Sequence, residues 1–226
     1  MIVSVHQPQY LPWLGYFEKI DQADVFVLLD TVQYKKNEWQ NRNKIKTAAG
    51  WQWITVPVTY RFPQLIRDVC IENNGWQRRH KQALLTNYRK APYWKNMEES
   101  FEELFTEEWD SLAKLNIYTV RKLAEILGIA TPLYVASELG DFPDDPDERL
   151  ISLVRYFGGD TYLAGSGGRN YMQMDAYTHS GIEVIFQKYV HPVYTQLFGE
   201  FEPFMSTIDV LFNCGRESLR ILRGNT

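Results

Sequence analysis

Cysteine is scarce: Cys70 and Cys214 are the only two in 226 residues, and each sits in an apolar context, DVCIE and LFNCG. With no CxxC pair, two separate buried thiols are expected, and neither a disulfide nor a zinc site. Histidine is nearly as rare, four in all, with no HExxH and no close Asp/His group, so no metal site is expected. There is no GxSxG elbow, which leaves an acyl-enzyme only Cys70 or Ser166, and no Walker A or GxGxxG spacing. No stretch approaches the ~20 consecutive apolar residues of a membrane span. The start, MIVSVHQPQY, lacks the basic flank and apolar run of a signal peptide. A cytoplasmic location without membrane insertion is expected. Internal repeats and low-complexity segments are also missing.

Apolar residues make up 45% and charged residues 23%, which are globular values, so residues 1–226 are expected to form a single α/β domain. Aromatic content is high, with 7 Trp and 14 Tyr, enough to fill a core or to line a pocket for sugars and bases. The net charge of −4 conceals a separation. Between positions 31 and 50, Lys35, Lys36, Arg42, Lys44 and Lys46 face Glu38 alone, and between 76 and 95 six bases face no acid. Between 96 and 148, fourteen acids face three bases. A positive loop system able to attract an anion is expected, with an acidic, solvated region elsewhere. The overall acidity argues against nucleic acid as a partner.

Hydrophobic patterning gives a strand over 2–5, a helix over 11–21 with Pro12 near its first position, and a strand buried on both faces between Asp24 and Asp30. That βαβ unit implies parallel strands. A long polar loop follows over 31–50, then strands over 51–58 and 67–71 with an antiparallel component. Helices over 76–90, 93–105 and 108–127 form a helical insertion at about 76–128, the last closed by Gly128. Strands over 132–136, 160–164 and 181–186 then alternate with a helix over 148–157, and helices over 207–213 and 217–222 end the chain. The fold class expected is α/β, with a mainly parallel, Rossmann-like sheet. Ligands of such sheets bind at the carboxyl ends of the strands, near a reversal of strand order.

Four polar segments lie just beyond strand ends, and parallel neighbours would bring them to one edge. In the first, HQPQY, the prolines stiffen the turn and His6 is the acid/base candidate, with Gln7, Tyr10 and Trp13 as substrate contacts. The second supplies Asp30, Gln33, Lys36, Trp39, Asn41, Arg42 and Lys44: cations for phosphate or carboxylate, and amides that read hydroxyls. The third, GSGGRN, is the phosphate candidate, with Ser166, Gly167, Gly168 and Arg169, and with Asn170 opening a helix. The fourth contributes Gln187 and His191. For each segment a bland alternative stands beside the functional one: a rigid turn, an exposed polar loop, a backbone-driven glycine turn. His80 and His179 are expected at the surface.

The segments HQPQYLPWLGYFEKI, DVFVLLDTVQYKKNEWQNRNKIK, WITVPV, TYLAGSGGRNYM and GIEVIFQKYVHPVYTQLFGEFEPFMSTIDVLFNCG resemble those of the WbqC-like family over nearly the whole chain. That resemblance implies a role in bacterial O-antigen or other surface-polysaccharide biosynthesis, on a nucleotide-sugar or amino-sugar substrate. In layout the first two strands are similar to the nucleotidylyltransferase superfamily, but Pro12 and Gly15 stand where the two histidines of its HxGH motif belong. This departure weighs against adenylyl transfer by the usual route. The function expected is transfer of an acyl or nucleotidyl group to a sugar, with ATP or another nucleotide plus Mg as the cofactor if an adenylated acid is involved. The alternative is a non-catalytic nucleotide-sugar or carbohydrate binding protein in a biosynthetic complex. Oligomeric state stays open, a homo-oligomer included.

Overall fold

In the computed structural model, which describes residues 1–224, the first unit is β1 (Ile2–His6), α1 (Leu14–Asp21) and β2 (Val25–Leu28). The helix starts three residues later than expected because Leu11 has φ +44°, a left-handed conformation no helix accepts. That strained turn is held from two sides: the Leu11 carbonyl accepts hydrogen bonds from Asn43 Nδ2 (2.7 Å) and Ser206 Oγ (2.7 Å).

The chain then leaves the sheet. The second part of the expected polar loop is in fact a strand, β3 (Arg42–Thr47), which pairs antiparallel with β4 (Gly50–Thr55) in register Lys44↔Trp53. Its alternation of Arg42, Lys44 and Lys46 with Asn43 and Ile45 is the period of a half-buried strand. Three cations in a row disguise that period as loop. The short strands β5 (Val58–Thr59) and β6 (Cys70–Ile71) supply the expected antiparallel pair. Helix α2 (Trp76–Tyr88) follows; the next expected helix breaks into α3 (Trp94–Met97), a 3₁₀ turn and α4 (Glu102–Thr106). Helix α5 (Leu112–Leu127) is capped by Ser111 and closed by Gly128 at φ +80°.

The chain returns as β7 (Leu133–Val135), α6 (Ala136–Leu139) and α7 (Pro146–Tyr156). It continues through β8 (Thr161–Ala164), α8 (Met174–His179) and β9 (Glu183–Phe186), and then α9 (Thr207–Cys214) and α10 (Ser218–Leu222). The central sheet has order β7-β2-β1-β8-β9, every pair parallel. The molecule is therefore an α/β protein of Rossmann-like architecture.

Both faces of the sheet are covered, so β2 and β8 are buried along their whole lengths. Phe26 and Leu28 point into one apolar cluster with α1, α5 and α9, while Val3, Val5, Val25 and Val27 point into another with α7 and α8. Burial also corrects three expectations. His80 is buried, its Nε2–H donating to Thr55 O (3.2 Å) and its Nδ1 accepting from Tyr10 Oη (3.0 Å). Cys70 is exposed and Cys214 half-buried, and both are free thiols. Cys70 lies on a two-residue strand, too short to be covered by a second layer. Among the described residues no helix is long and apolar enough to cross a membrane.

Candidate functional site

From β1 the chain winds one way to β2, with α1 on one face; from β8 it winds the other way to β9, with α8 on the opposite face. The reversal falls between β1 and β8, where doubly wound sheets open a crevice. Register makes that opening concrete. Strand β1 pairs with β2 as far as His6↔Leu28, but with β8 only as far as Ser4↔Leu163. Beyond Ser4 the two strands part. The Val5 carbonyl, past the end of that ladder, accepts a hydrogen bond from Lys19 Nζ (2.9 Å).

The resulting cleft, about 260 Å³, is lined by His6, Trp13, Gly15, Tyr16, Lys19, Gly165–Gly168, Tyr171 and Gln187, among others. It is smaller than the roughly 300–1,000 Å³ of most ligand pockets, so it suits one reacting group and not a whole nucleotide sugar. Larger hollows exist between β4 and α2 (about 520 Å³) and beside α5 (about 490 Å³), but no end of a central-sheet strand reaches either.

His6 donates from Nδ1 to the Gln7 carbonyl (3.1 Å), which leaves Nε2 as a bare acceptor. Burial, reinforced by the neighbouring Lys19 charge, lowers its pKa to about 3, so the ring is neutral at physiological pH. Tyr16 packs edge-on against the imidazole, ring centroids 5.0 Å apart, and donates to the same carbonyl (3.1 Å). Lys19 is 3% exposed, and burial lowers its ammonium to about 7. An amine poised there exists in both protonation states, which suits proton transfer better than an imidazole with a pKa near 3. Gln187 closes the wall by donating from Nε2 to Gly15 O (2.7 Å) and to the Glu18 carboxylate. Gly15 is required because the Trp13 indole lies over it: a Cβ there would sit 2.2 Å from that ring.

Of the residues expected to form one site, His6, Trp13, Gln187, Ser166, Gly167 and Gly168 meet in this cleft. The others do not line it. Asn170 opens no α-helix: Ser166–Asn170 is a 3₁₀ turn closed by Gly168 N–H donating to Gly165 O (2.9 Å), and α8 starts only at Met174. Arg169 lies against the Phe186 ring, 4.6 Å from its centroid. Gly168 is a packing glycine, since a Cβ would meet Met172 Sδ at 2.7 Å. The Asp30 carboxylate is bound by Ser137, through its N–H (3.0 Å) and Oγ (2.7 Å), at the start of α6. The Gln7 amide oxygen accepts from Gln40 (2.6 Å), Asn41 donates to Val56 O (2.9 Å), and Tyr10 is wholly buried against His80. Both ring nitrogens of His191 are in use, on Pro192 O (2.9 Å) and the Phe204 N–H (3.1 Å). Gln33 and Lys36 border a separate hollow with Tyr60 and Phe62. Trp39, Arg42 and Lys44 belong to the hairpin β3–β4.

Like Tyr16 and Tyr171, Lys19 is a cleft residue the sequence did not betray. In YFEKID it reads as the solvent side of an amphipathic helix, yet every residue of α1 from Leu14 to Ile20 is buried. The faint signal is its i, i+3 and i, i+4 spacing from Tyr16 and Gly15, which puts all three on one helix face behind His6.

The parallel sheet and its switch-point cleft define the class: a Rossmann-like α/β protein with a candidate site at the carboxyl edge. A model of the WbqC-like protein family matches residues 7–221, and the chain belongs to that family. It is 36% identical over 225 residues to "Uncharacterized protein Rv1507c" of Mycobacterium tuberculosis (strain ATCC 25618 / H37Rv), covering 98% of this chain and 97% of that protein. No solved structure matches the chain.

Proposed function

We propose that the protein transfers an acyl or nucleotidyl group to an amino or hydroxyl group of an activated sugar, in the biosynthesis of a bacterial surface polysaccharide such as O-antigen. The observation that supports this most is the meeting of Lys19 and the bare acceptor of His6 where β1 and β8 diverge, beside the Ser166–Gly168 loop. The family membership supports the pathway class. In this reading His6 Nε2 accepts a hydrogen bond from the nucleophilic group and orients it. The nucleophile's lone pair forms the new bond to acyl carbon or phosphorus, its proton passes to the neutral Lys19 amine, and the bond to the leaving phosphate breaks toward Ser166. The cleft takes only the reacting group, and the rest of the substrate lies over its rim. The whole chain acts as one unit, since the helices between 76 and 127 share an apolar cluster with the sheet.

Thermal-shift and calorimetric titration with UDP-glucose, UDP-N-acetylglucosamine and ATP plus Mg²⁺ test the reading. A ligand present at a hundred times its Kd stabilises by about 2.7 kcal/mol. Binding that survives both Lys19→Met and His6→Ala in folded protein would overturn the assignment of the cleft. Binding lost in those variants, with no transfer product under any donor, would leave a nucleotide-sugar binding protein.

A further inference from the structure

The hairpin β3–β4 carries a feature unrelated to the cleft. On one of its faces Arg42 and Lys44 from β3 alternate with Trp51 and Trp53 from β4, and Trp39 joins from the preceding turn. The Arg42 guanidinium lies 4.2 Å from the Trp53 ring centroid; Lys44 Nζ lies 4.0 Å from that of Trp51 and 5.4 Å from that of Trp53. Trp53 is 5.3 Å from Trp39 and 5.6 Å from Trp51.

The opposite face, with Asn43, Ile45 and Ile54, is buried. The ladder face is partly open: Trp51 is 41% exposed and Trp39, Arg42, Lys44 and Trp53 are half-buried, while Lys46 at its end is covered, its Nζ donating to the Glu200 carbonyl. Neither Arg42 nor Lys44 forms an ion pair among the described residues, and Arg42 Nε is buried without a partner. Among the described residues the guanidinium's one hydrogen-bond acceptor is the neutral Asn37 carbonyl. Glu202 lies by the turn, where its Oε1 would be 3.6 Å from a Cβ on Gly50.

We infer that this ladder is a second binding surface, for an acidic saccharide chain. A tryptophan left half in water is rare without a partner, and cations held on ring faces of a rigid sheet are preset to meet carboxylates. Pyranose rings pack their C–H faces on single aromatic faces. The alternative π-ligand, single-stranded nucleic acid, stacks base after base on parallel planes. The tryptophans cross at 53° and 83°, so no two of them make a parallel slot for a base. None of the five side chains lines the cleft. The inference therefore stands or falls apart from the transfer chemistry proposed above, and it supplies a place for the growing or acceptor glycan.

Affinity electrophoresis of the full chain in gels containing polygalacturonate, dextran or poly(dT) tests it. Retardation by polygalacturonate is expected, weaker by dextran, with at least a fivefold loss of affinity in Trp51→Ala and in Lys44→Gln. Both positions are at the surface, and circular dichroism checks that the variants fold. Lys19→Met should be retarded like the parent protein. The inference is overturned if polygalacturonate does not retard the parent, if the hairpin variants bind as well as it does, if Lys19→Met loses the binding, or if poly(dT) binds more tightly.

Discussion

Lys19 in the cleft and Lys44 on the hairpin are the same side chain in opposite settings. Lys19 is stripped of water, anchored on one backbone carbonyl and set beside a neutral histidine, so its charge is disfavoured and its proton is mobile. Lys44 reaches along a half-open sheet face onto the rings of Trp51 and Trp53, a setting suited to holding an anion. Burial thus makes Lys19 a base, while the rings beside Lys44 make a binding surface of it.

The sharpest way to break this contrast is to remove the buried amine. Lys19→Met should reduce transfer by a hundredfold or more at pH 7 while the variant still unfolds cooperatively in urea, because methionine fits the same space. Loss of folding would instead make Lys19 a structural residue. A second change weakens the support beneath the hairpin. Tyr88 Oη accepts from the Lys46 N–H (2.8 Å) and donates to the buried Asp209 carboxylate (2.8 Å), so Tyr88→Phe should cost about 1–3 kcal/mol in urea unfolding and leave Lys19 unaffected.

Titration gives Lys19 a signature of its own. With its pKa near 7 when folded and 10.5 when unfolded, Lys19 binds fewer protons in the native state across that interval. Stability should therefore rise with pH from about 7 to 10.5, with a slope of up to ~1.4 kcal/mol per pH unit, and Lys19→Met should flatten the rise. On the acid side His6 and His80, lowered to about 3 and about 4 from 6.5, act in the same direction. Their stabilising contribution is complete above 6.5 and is lost as pH falls toward 3; His80→Gln should remove part of that loss in melts between pH 3 and 6.5. The smallest effect belongs to the exposed ladder, where Trp51→Ala should change stability by no more than about 0.5 kcal/mol. A larger loss would show that the ladder is part of the fold and not a surface held ready for a ligand.

Legibility followed the range of the interactions. The continuous apolar run Val25–Leu28 announced a strand buried on both faces, and Gly128 announced the end of α5. Helix α1 was misplaced because Leu11 is held left-handed by Asn43 and Ser206, the latter 195 positions away. His80 was taken for a surface residue in a basic run, since nothing local says that Tyr10 and Thr55 will enclose it. The basic loop looked like one wall of a single site; β-pairing instead turned it into a hairpin with its own exposed face.

By itself the sequence determined the class of fold, because a two-sided sheet needs long apolar strands and helices that are amphipathic at a fixed period, and both are local patterns. It also placed His6 and the GSGG run at strand ends, since position within a strand is a one-dimensional property. What the tertiary structure alone decided was which strand ends meet and which charges lose their water. Strand order set the cleft between β1 and β8, and the layers closing over α1 made Lys19 a buried amine. Desolvation depends on everything packed around a group, and for Lys19 that includes the Val5 carbonyl of β1 and the Phe26 ring of β2, which only the folded sheet brings to it.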